Sequence, residues 1–468
     1  MVGQQVELSQ IRVQERVKMR ELVAAPTAEA PLLLVGDQVE YVQRSPNDGT
    51  ATVVGAPAHV EGRGLVLDGY RIELDRGRNL LSVLGAGRLL LPPPERDMTG
   101  QAITSSTPLS VEWQGKMNFD GLRATFVDRV VGQFDQRTLR TGEMQVEFDE
   151  RIDFAHPPRG RQPEWASVAC RGGVRVEGET RRAAVLESVE QMRAADFSVR
   201  RVDGYVHASG PGWLSAVRRG GAALLPGAPG AAGAGGTNGM TTAMRPADGQ
   251  PGSGELTYVK VEFQTLATGN INLREMTFGN RVRTTVGPVE NFQQVVDSDD
   301  FDRSGYDGRP RGARGVFMTS ERLTIAQAPG VVAGETSMEL DAAGNAEIEG
   351  LNFDGQSFFA RATHLKYSQA KDLVILEGDG RTDAELSRQE RIGAPVNSTQ
   401  SRKILYWRTT GRVQVDDAQH FDFDMLPEGH GSQPAPPLAP PAAAPALPRY
   451  PQIPYPEAGP KPRLPGRQ

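Results

Sequence analysis

One order of short sequence boxes occurs three times along the 468-residue chain. Each copy has an apolar-x-apolar segment, an apolar-x-apolar-Glu-Gly box, another apolar-x-apolar segment and a Gly-x-Gly turn. The Glu-Gly boxes end at Gly62, Gly178 and Gly350. A repeated order constrains the fold more than any single motif, because each copy must form the same supersecondary structure.

Apolar and polar residues alternate within these boxes. Examples are Ile72–Leu74, Phe197–Val199 and Leu365–Tyr367, each followed at the same spacing by the Gly-x-Gly turn. A period of two residues is typical of strands that bury one face, and glycine permits the turns between them. The sequence therefore predicts an all-β protein of stacked antiparallel strands in three divergent repeats. We expect a helix only in the charged segment 4–22.

The copies continue beyond the Gly-x-Gly turn. Val111–Gln114 and Val261–Gln264 match each other, and Ile404–Trp407 stands at the comparable place in the third copy. Thr125–Phe126 and Thr277–Phe278 follow in the first two copies. These matches predict that aromatic residues occupy equivalent positions in successive repeats.

The boxes and the low-complexity segments predict the organisation of the chain. A segment rich in Gly and Ala interrupts the second copy, and a Pro-rich stretch ends the chain; neither composition supports a packed core, so we expect both to be disordered. The predicted parts are a polar N-terminal segment 1–30, β repeat 1 at 31–135, β repeat 2 at 136–290 with an insertion at 220–254, β repeat 3 at 316–425, and a tail at 426–468.

The composition excludes several functional classes. The chain has 52 basic and 58 acidic residues, so no sign dominates and no nucleic-acid partner is expected. Cys170 is the single cysteine, which excludes an internal disulfide and a cysteine-based zinc site. No apolar run reaches the roughly 18 residues that span a bilayer, and the first residues lack the pattern of a secretory signal.

The motifs of common catalytic sites are missing from the sequence. It has no nucleophile elbow and no phosphate-binding loop. Glu61, Glu177 and Glu349 recur once per copy, a pattern more typical of solvent-facing residues than of a convergent catalytic pair. The sequence therefore predicts a non-enzymatic protein with no cofactor and no metal.

The stretch from Phe359 to Gly378, with the three Glu-Gly boxes, resembles the OstA-like family of lipopolysaccharide-transport bridge proteins. The resemblance covers about Leu32 to Phe423 apart from the insertions. It implies a V-shaped β-jelly roll, or β-taco, whose apolar groove holds acyl chains. It also implies a periplasmic location, lipopolysaccharide or another acylated lipid as ligand, and edge-to-edge strand pairing with other OstA-like proteins.

Inward-facing aromatic and aliphatic residues of the boxes are the candidates for the groove wall. As core fillers the aromatic residues would need no ligand, and the sequence does not separate the two roles because both demand an inward apolar face. The candidates are Trp113, Phe126, Phe197, Val199, Phe263, Phe278, Leu365, Tyr367 and Tyr406.

Three functions follow from these expectations. The leading prediction is a lipid-transport bridge or scaffold, which requires an open apolar groove. A structural or adhesive β-solenoid without a small ligand requires a filled interior. A carbohydrate-acting β-helix enzyme requires an acidic cluster in a cleft.

Overall fold

The computed structural model describes most of the chain up to Asp422. The described residues are 10–20, 32–45, 48–62, 65–93, 107–154, 164–182, 185–219, 256–296, 315–329, 336–351, 357–389, 394–407 and 410–422. The predicted insertion 220–254 and the tail after residue 425 lie outside these ranges.

The described part of the chain is all-β and antiparallel, as the sequence predicts. It forms one hydrogen-bonded system of 25 strands, and it contains no helix. All of these strands lie between Gln10 and Asp422.

The strands fall into one leading strand and three successive groups. The leading strand is β1 (Gln10–Arg20). The first group is β2 (Leu33–Ser45), β3 (Asp48–Gly62), β4 (Leu65–Asp75), β5 (Leu80–Leu91), β6 (Leu109–Trp113), β7 (Lys116–Phe119) and β8 (Arg123–Phe134). The second group is β9 (Arg137–Phe148), β10 (Trp165–Arg171), β11 (Val174–Arg182), β12 (Val185–Ala194), β13 (Asp196–Arg200), β14 (Tyr205–Ser209), β15 (Gly212–Arg219), β16 (Leu256–Phe263), β17 (Leu266–Asn270) and β18 (Glu275–Val289). The third group is β19 (Gly315–Pro329), β20 (Thr336–Leu351), β21 (Ser357–Ser368), β22 (Leu373–Glu377), β23 (Ala384–Gln389), β24 (Val396–Trp407) and β25 (Val413–Asp422).

The chain crosses the fold repeatedly. Each crossing, here called a passage, bends near its middle, and we call the bend a corner. In β8 the corner is Asp128–Arg129 and in β18 it is Asn280–Arg281; all four residues have positive φ, and the pairing register shifts there. Other passages break into two strands, as β6 and β7 do at residues 114–115. Such bulges bend a strand and redirect its two halves.

The corners divide the strands into two arms, each an antiparallel ladder. Arm 1 contains β7, β10, β13, β14, β17 and β22, and arm 2 contains β6, β11, β12, β15, β16 and β23. The remaining strands are longer and contribute one half to each arm, as β8 does by pairing with both β6 and β7.

The repeated boxes lie on equivalent strands of the three groups. The Glu-Gly boxes lie on arm 2, in β3, β11 and β20, and the segments Ile72–Leu74, Phe197–Val199 and Leu365–Tyr367 lie on arm 1, in β4, β13 and β21. The predicted limits of the repeats at 135 and 290 fall between strands. The order of boxes read from the sequence is therefore an order of strands.

The prediction of a helix at 4–22 is wrong for the residues that the structure describes. Gln10 to Arg20 form β1, which pairs with β2. Apolar residues at every second position, such as Val17 and Met19, face inward, while the charged residues between them are exposed. The pairing with β2 is non-local, so local charge and spacing did not indicate it.

The two faces of each arm differ in chemistry. Inward-facing positions are mostly apolar, whereas outward-facing positions carry cross-strand ion pairs such as Arg123–Glu147 and Lys403–Glu377. Hydrogen bonds from Arg123 and Ser167 hold the pKa of Glu147 below its ordinary value. The arms are therefore amphipathic sheets that bury one face against each other.

A glycine on β5 leaves room for an indole ring. A Cβ atom on Gly87 would lie 2.4 Å from Cζ2 of Trp113, whereas a Cβ atom on Gly132 of β8 would meet nothing closer than 3.9 Å. We expect Gly87→Ala to lower the free energy of unfolding by about 1–3 kcal/mol because it overpacks the interior. Gly132→Ala is the matched control and should change stability little. Urea unfolding measures both, and equal stability of the two variants would contradict this packing.

Candidate functional site

The inner face between the arms is the candidate functional site. Its buried residues form two apolar clusters, one running from Val17 to Val174 and the other from Ala194 to Ile404 along the chain. Met192 on arm 2 and Phe197 on arm 1 pack against both clusters. The apolar interior is therefore continuous along the stacked strands.

Ring pairs close the interior beside two of the corners. Trp113 of arm 2 lies 5.2 Å from Phe126 of arm 1, and Phe263 lies 5.9 Å from Phe278 in the same arrangement. All four side chains are at most 2% exposed, and the Trp113 indole N–H donates a hydrogen bond to the Gly85 carbonyl at 3.1 Å. These four groove candidates are packed core residues in the free protein.

The other five candidates all lie on arm 1. Val199, Leu365 and Tyr367 are buried, while Phe197 and Tyr406 are only partly buried. Phe197 and Tyr406 are the two candidates with surface left for a ligand.

The predicted equivalence of Ile404–Trp407 with Val111–Gln114 is wrong. Trp113 and Phe263 are the last residues of arm 2 before the corner in equivalent passages of the first and second groups. In the third group this position is occupied by Ser401. Tyr406 lies on arm 1 beyond the corner, in the ladder with β22. The buried Ser401 hydroxyl donates a hydrogen bond to the backbone carbonyl of Asp416. This bond from side chain to backbone stands where the other two groups have a contact between rings.

Partly buried apolar side chains form an apolar fringe that no sequence motif singled out. They lie on inward-facing positions farther from the corners, and their signal in the sequence is the period-two alternation alone. Members of the fringe are Met192, Met276, Ile348, Phe358 and Val374. Methionine is flexible and polarizable, so this fringe can adapt to an apolar ligand.

A short strap fastens the far end of arm 1 in the first group. The strap is residues 149–154, which follow β9, and Phe154 packs edge-on to Phe119 at 5.7 Å. The Asn79 side chain donates to the Ile152 carbonyl at 2.7 Å and accepts from the Phe154 amide at 2.8 Å. The Ile152 amide donates to the Gly121 carbonyl at 2.7 Å, so the strap joins two hairpin ends of this arm.

Removing the Asn79 side chain should loosen the strap. Asn79 has φ of 57°, so glycine keeps the backbone conformation while losing both side-chain hydrogen bonds. We expect Asn79→Gly to cost about 1–3 kcal/mol of unfolding free energy and to expose residues 149–154 to protease. Asn345→Gly is the control, because Asn345 also has positive φ but is exposed at a corner. The same protease pattern in both variants would refute the role of Asn79.

The recurring glutamates lie on the outer face of arm 2. Glu61 is exposed near His59, and Glu177 forms ion pairs with Arg140 and Arg175. Within the described ranges, no group of three or more His, Cys, Asp or Glu residues could hold a metal ion. The three glutamates therefore do not converge on the apolar interior.

Cys170 faces the interior on β10 and is almost fully buried. Burial raises the pKa of its thiol to about 12. Because the thiolate is the reactive form, we expect no reaction with dithionitrobenzoate at pH 8 in the folded protein and one equivalent after unfolding in urea. Rapid labelling without denaturant would show that this part of the interior is open to solvent.

No protein-family model matches the chain, and no curated protein matches it. Among the described residues, no helix is long and apolar enough to cross a membrane.

Proposed function

We propose that this protein is a non-enzymatic scaffold that binds the acyl chains of lipids along the inner face of its two arms. The observation that carries the proposal is the continuous apolar interior, in which Met192 and Phe197 join the two clusters. The resemblance to the OstA-like family implies lipopolysaccharide or another acylated lipid as ligand and a periplasmic location, and the acyl chains of either suit this interior.

The fringe is the part of the interior that suits a ligand. The ring pairs at Trp113 and Phe263 fill the space beside the corners, whereas Phe358 and Tyr406 keep partly exposed surface. An acyl chain laid on the fringe gains about 25 cal/mol per Å² of buried apolar surface. In this proposal the corners hold the arms together while the fringe takes up the lipid.

The two ends of the sheet suit pairing with further β-proteins. Among the described residues, β1 pairs only with β2 and β25 only with β24. A strand with one unpaired side is a template for another chain, so end-to-end pairing would extend the interior across molecules. The positively charged residues on β1, such as Arg12 and Lys18, favour partners that carry negative charge at this edge.

A structural β-solenoid without a small ligand is the second candidate. It is favoured by the burial of Trp113, Phe126, Phe263 and Phe278, since a filled interior needs no lipid to complete it. The two proposals differ in the role of the fringe, which is a binding surface in the first and an incomplete core in the second.

Two neighbouring phenylalanines on β21 allow a matched test. Phe358 faces the apolar interior, and Phe359 is the next residue on the opposite face. We expect the protein to bind the apolar fluorophore 1-N-phenylnaphthylamine at micromolar concentration. Phe358→Glu should weaken this binding by about tenfold or more, because it places a charge beside the ligand, and Phe359→Glu should leave it unchanged.

The melting temperature of each variant is measured beside the fluorescence titration. Absence of binding by the wild-type protein, or equal loss in both variants, would overturn lipid binding and leave the structural solenoid. Native extraction of copurified lipid gives an independent reading of the ligand.

A further inference from the structure

Arm 2 is longer than arm 1 in the second group of strands. On arm 2, β12 has 10 residues and β15 and β16 have 8 each, whereas β13, β14 and β17 on arm 1 have 5 each. At about 3.3 Å per residue, three additional residues extend a strand by roughly 10 Å. The arm 2 strands of this group therefore reach farther from the corner than these arm 1 strands.

A polar row lies on this extension. Ser188, Arg218 and Thr257 are register neighbours on β12, β15 and β16, and Glu190 lies one inward-facing position closer to the corner. The residues next to them in sequence, such as Val217, belong to a separate apolar cluster on the outer face. Because side chains alternate between the two faces of a strand, these four polar residues point inward. We call Ser188, Glu190, Arg218 and Thr257 the polar row.

The polar row holds an ion pair that is largely buried. The Arg218 guanidinium lies 2.6 Å from the Glu190 carboxylate, and the two side chains are 11% and 14% exposed. The hydroxyl-bearing Ser188 and Thr257 are buried beside them. Burying an ion pair gives less stability than well-packed apolar residues of the same size, so its presence at this place calls for a role other than packing.

Apolar residues follow the polar row toward the corner on the same strands. Met192 lies on β12, Leu214 on β15, and Val259 and Val261 on β16. The inner face of arm 2 thus changes from apolar near the corner to polar at its far end. This order matches an amphiphile that lies with its chain toward the corner and its head group at the end of the arm.

We infer that the polar row binds the head group of the lipid and selects one without net charge that both donates and accepts hydrogen bonds, such as a polyol. The inference rests on the proposed lipid binding. The row carries one positive and one negative group together with two hydroxyls. An anionic head group would meet the carboxylate of Glu190, and a cationic one would meet the guanidinium of Arg218.

Three amphiphiles with one chain length test the selection. Dodecyl maltoside, dodecanoate and dodecyltrimethylammonium, each below its micellar concentration, compete with 1-N-phenylnaphthylamine for the full-length protein. We expect the wild-type protein to prefer the maltoside. Glu190→Gln should shift the preference about tenfold toward dodecanoate, and Arg218→Gln should shift it by a similar factor toward dodecyltrimethylammonium, because each leaves one charge uncompensated. The double variant should prefer the maltoside again.

The outer-face pair Arg140 and Glu177 supplies the control, since Arg140→Gln and Glu177→Gln remove charges of the same kind away from the interior. Melting temperatures show which variants fold, and the double variant keeps the test valid if a single one does not. Unchanged preferences in folded variants that still bind the fluorophore would overturn the head-group site and leave lipid binding in place. No fluorophore binding by the wild-type protein would overturn both.

Discussion

Backbone hydrogen bonding at the corners is the constraint on which the rest of this fold depends. A strand that bends exposes peptide groups that must find partners, because unpaired buried peptide groups are costly. Here successive corners satisfy each other. The amide of Gln114 donates to the Asp128 carbonyl at 2.8 Å, and that of Gln264 donates to the Asn280 carbonyl at 3.1 Å. The positive φ of Asp128 and Asn280 makes this geometry possible, so the corners stack and both arms follow from them.

Close packing beside the corners then decides what the interior can hold. Gly87 and Gly212 leave space for the rings of Trp113 and Phe263, which reach across to the opposite arm. Because these rings fill the narrow part, any ligand must lie farther out, where side chains such as Phe358 are partly exposed. The same packing is therefore compatible with both proposals, a lipid-binding scaffold and a filled solenoid. The two differ only in whether the fringe binds a ligand.

Most of the architecture could be predicted from local patterns, and most of the site could not. Period-two alternation and recurring glycines indicated antiparallel strands in a repeated order. The strand at Gln10–Arg20 was missed because its partner lies in β2. Tyr406 was aligned with Trp113 because the corresponding passage of the third group, β24, places its corner at a different residue. Glu190 and Arg218 are 28 residues apart in sequence, so only the register of their strands brings them together.

The links at the corners are short, whereas the longest links of the chain lie at the far ends of the arms. Residues 114–115 and 172–173 form corner links of two residues, and the amides of Gln114, Gly115 and Gly173 donate hydrogen bonds to neighbouring passages, while the corner link between β22 and β23, residues 378–383, has six residues. At the far ends of arm 2, by contrast, the links run through residues 220–255 and 290–314. Sequence can thus be added at the far ends without changing the interior, and whole passages can be duplicated without changing the corners. Evolution can alter the length of the apolar interior through the number of repeats and the surface through the inserts, as two separate variables.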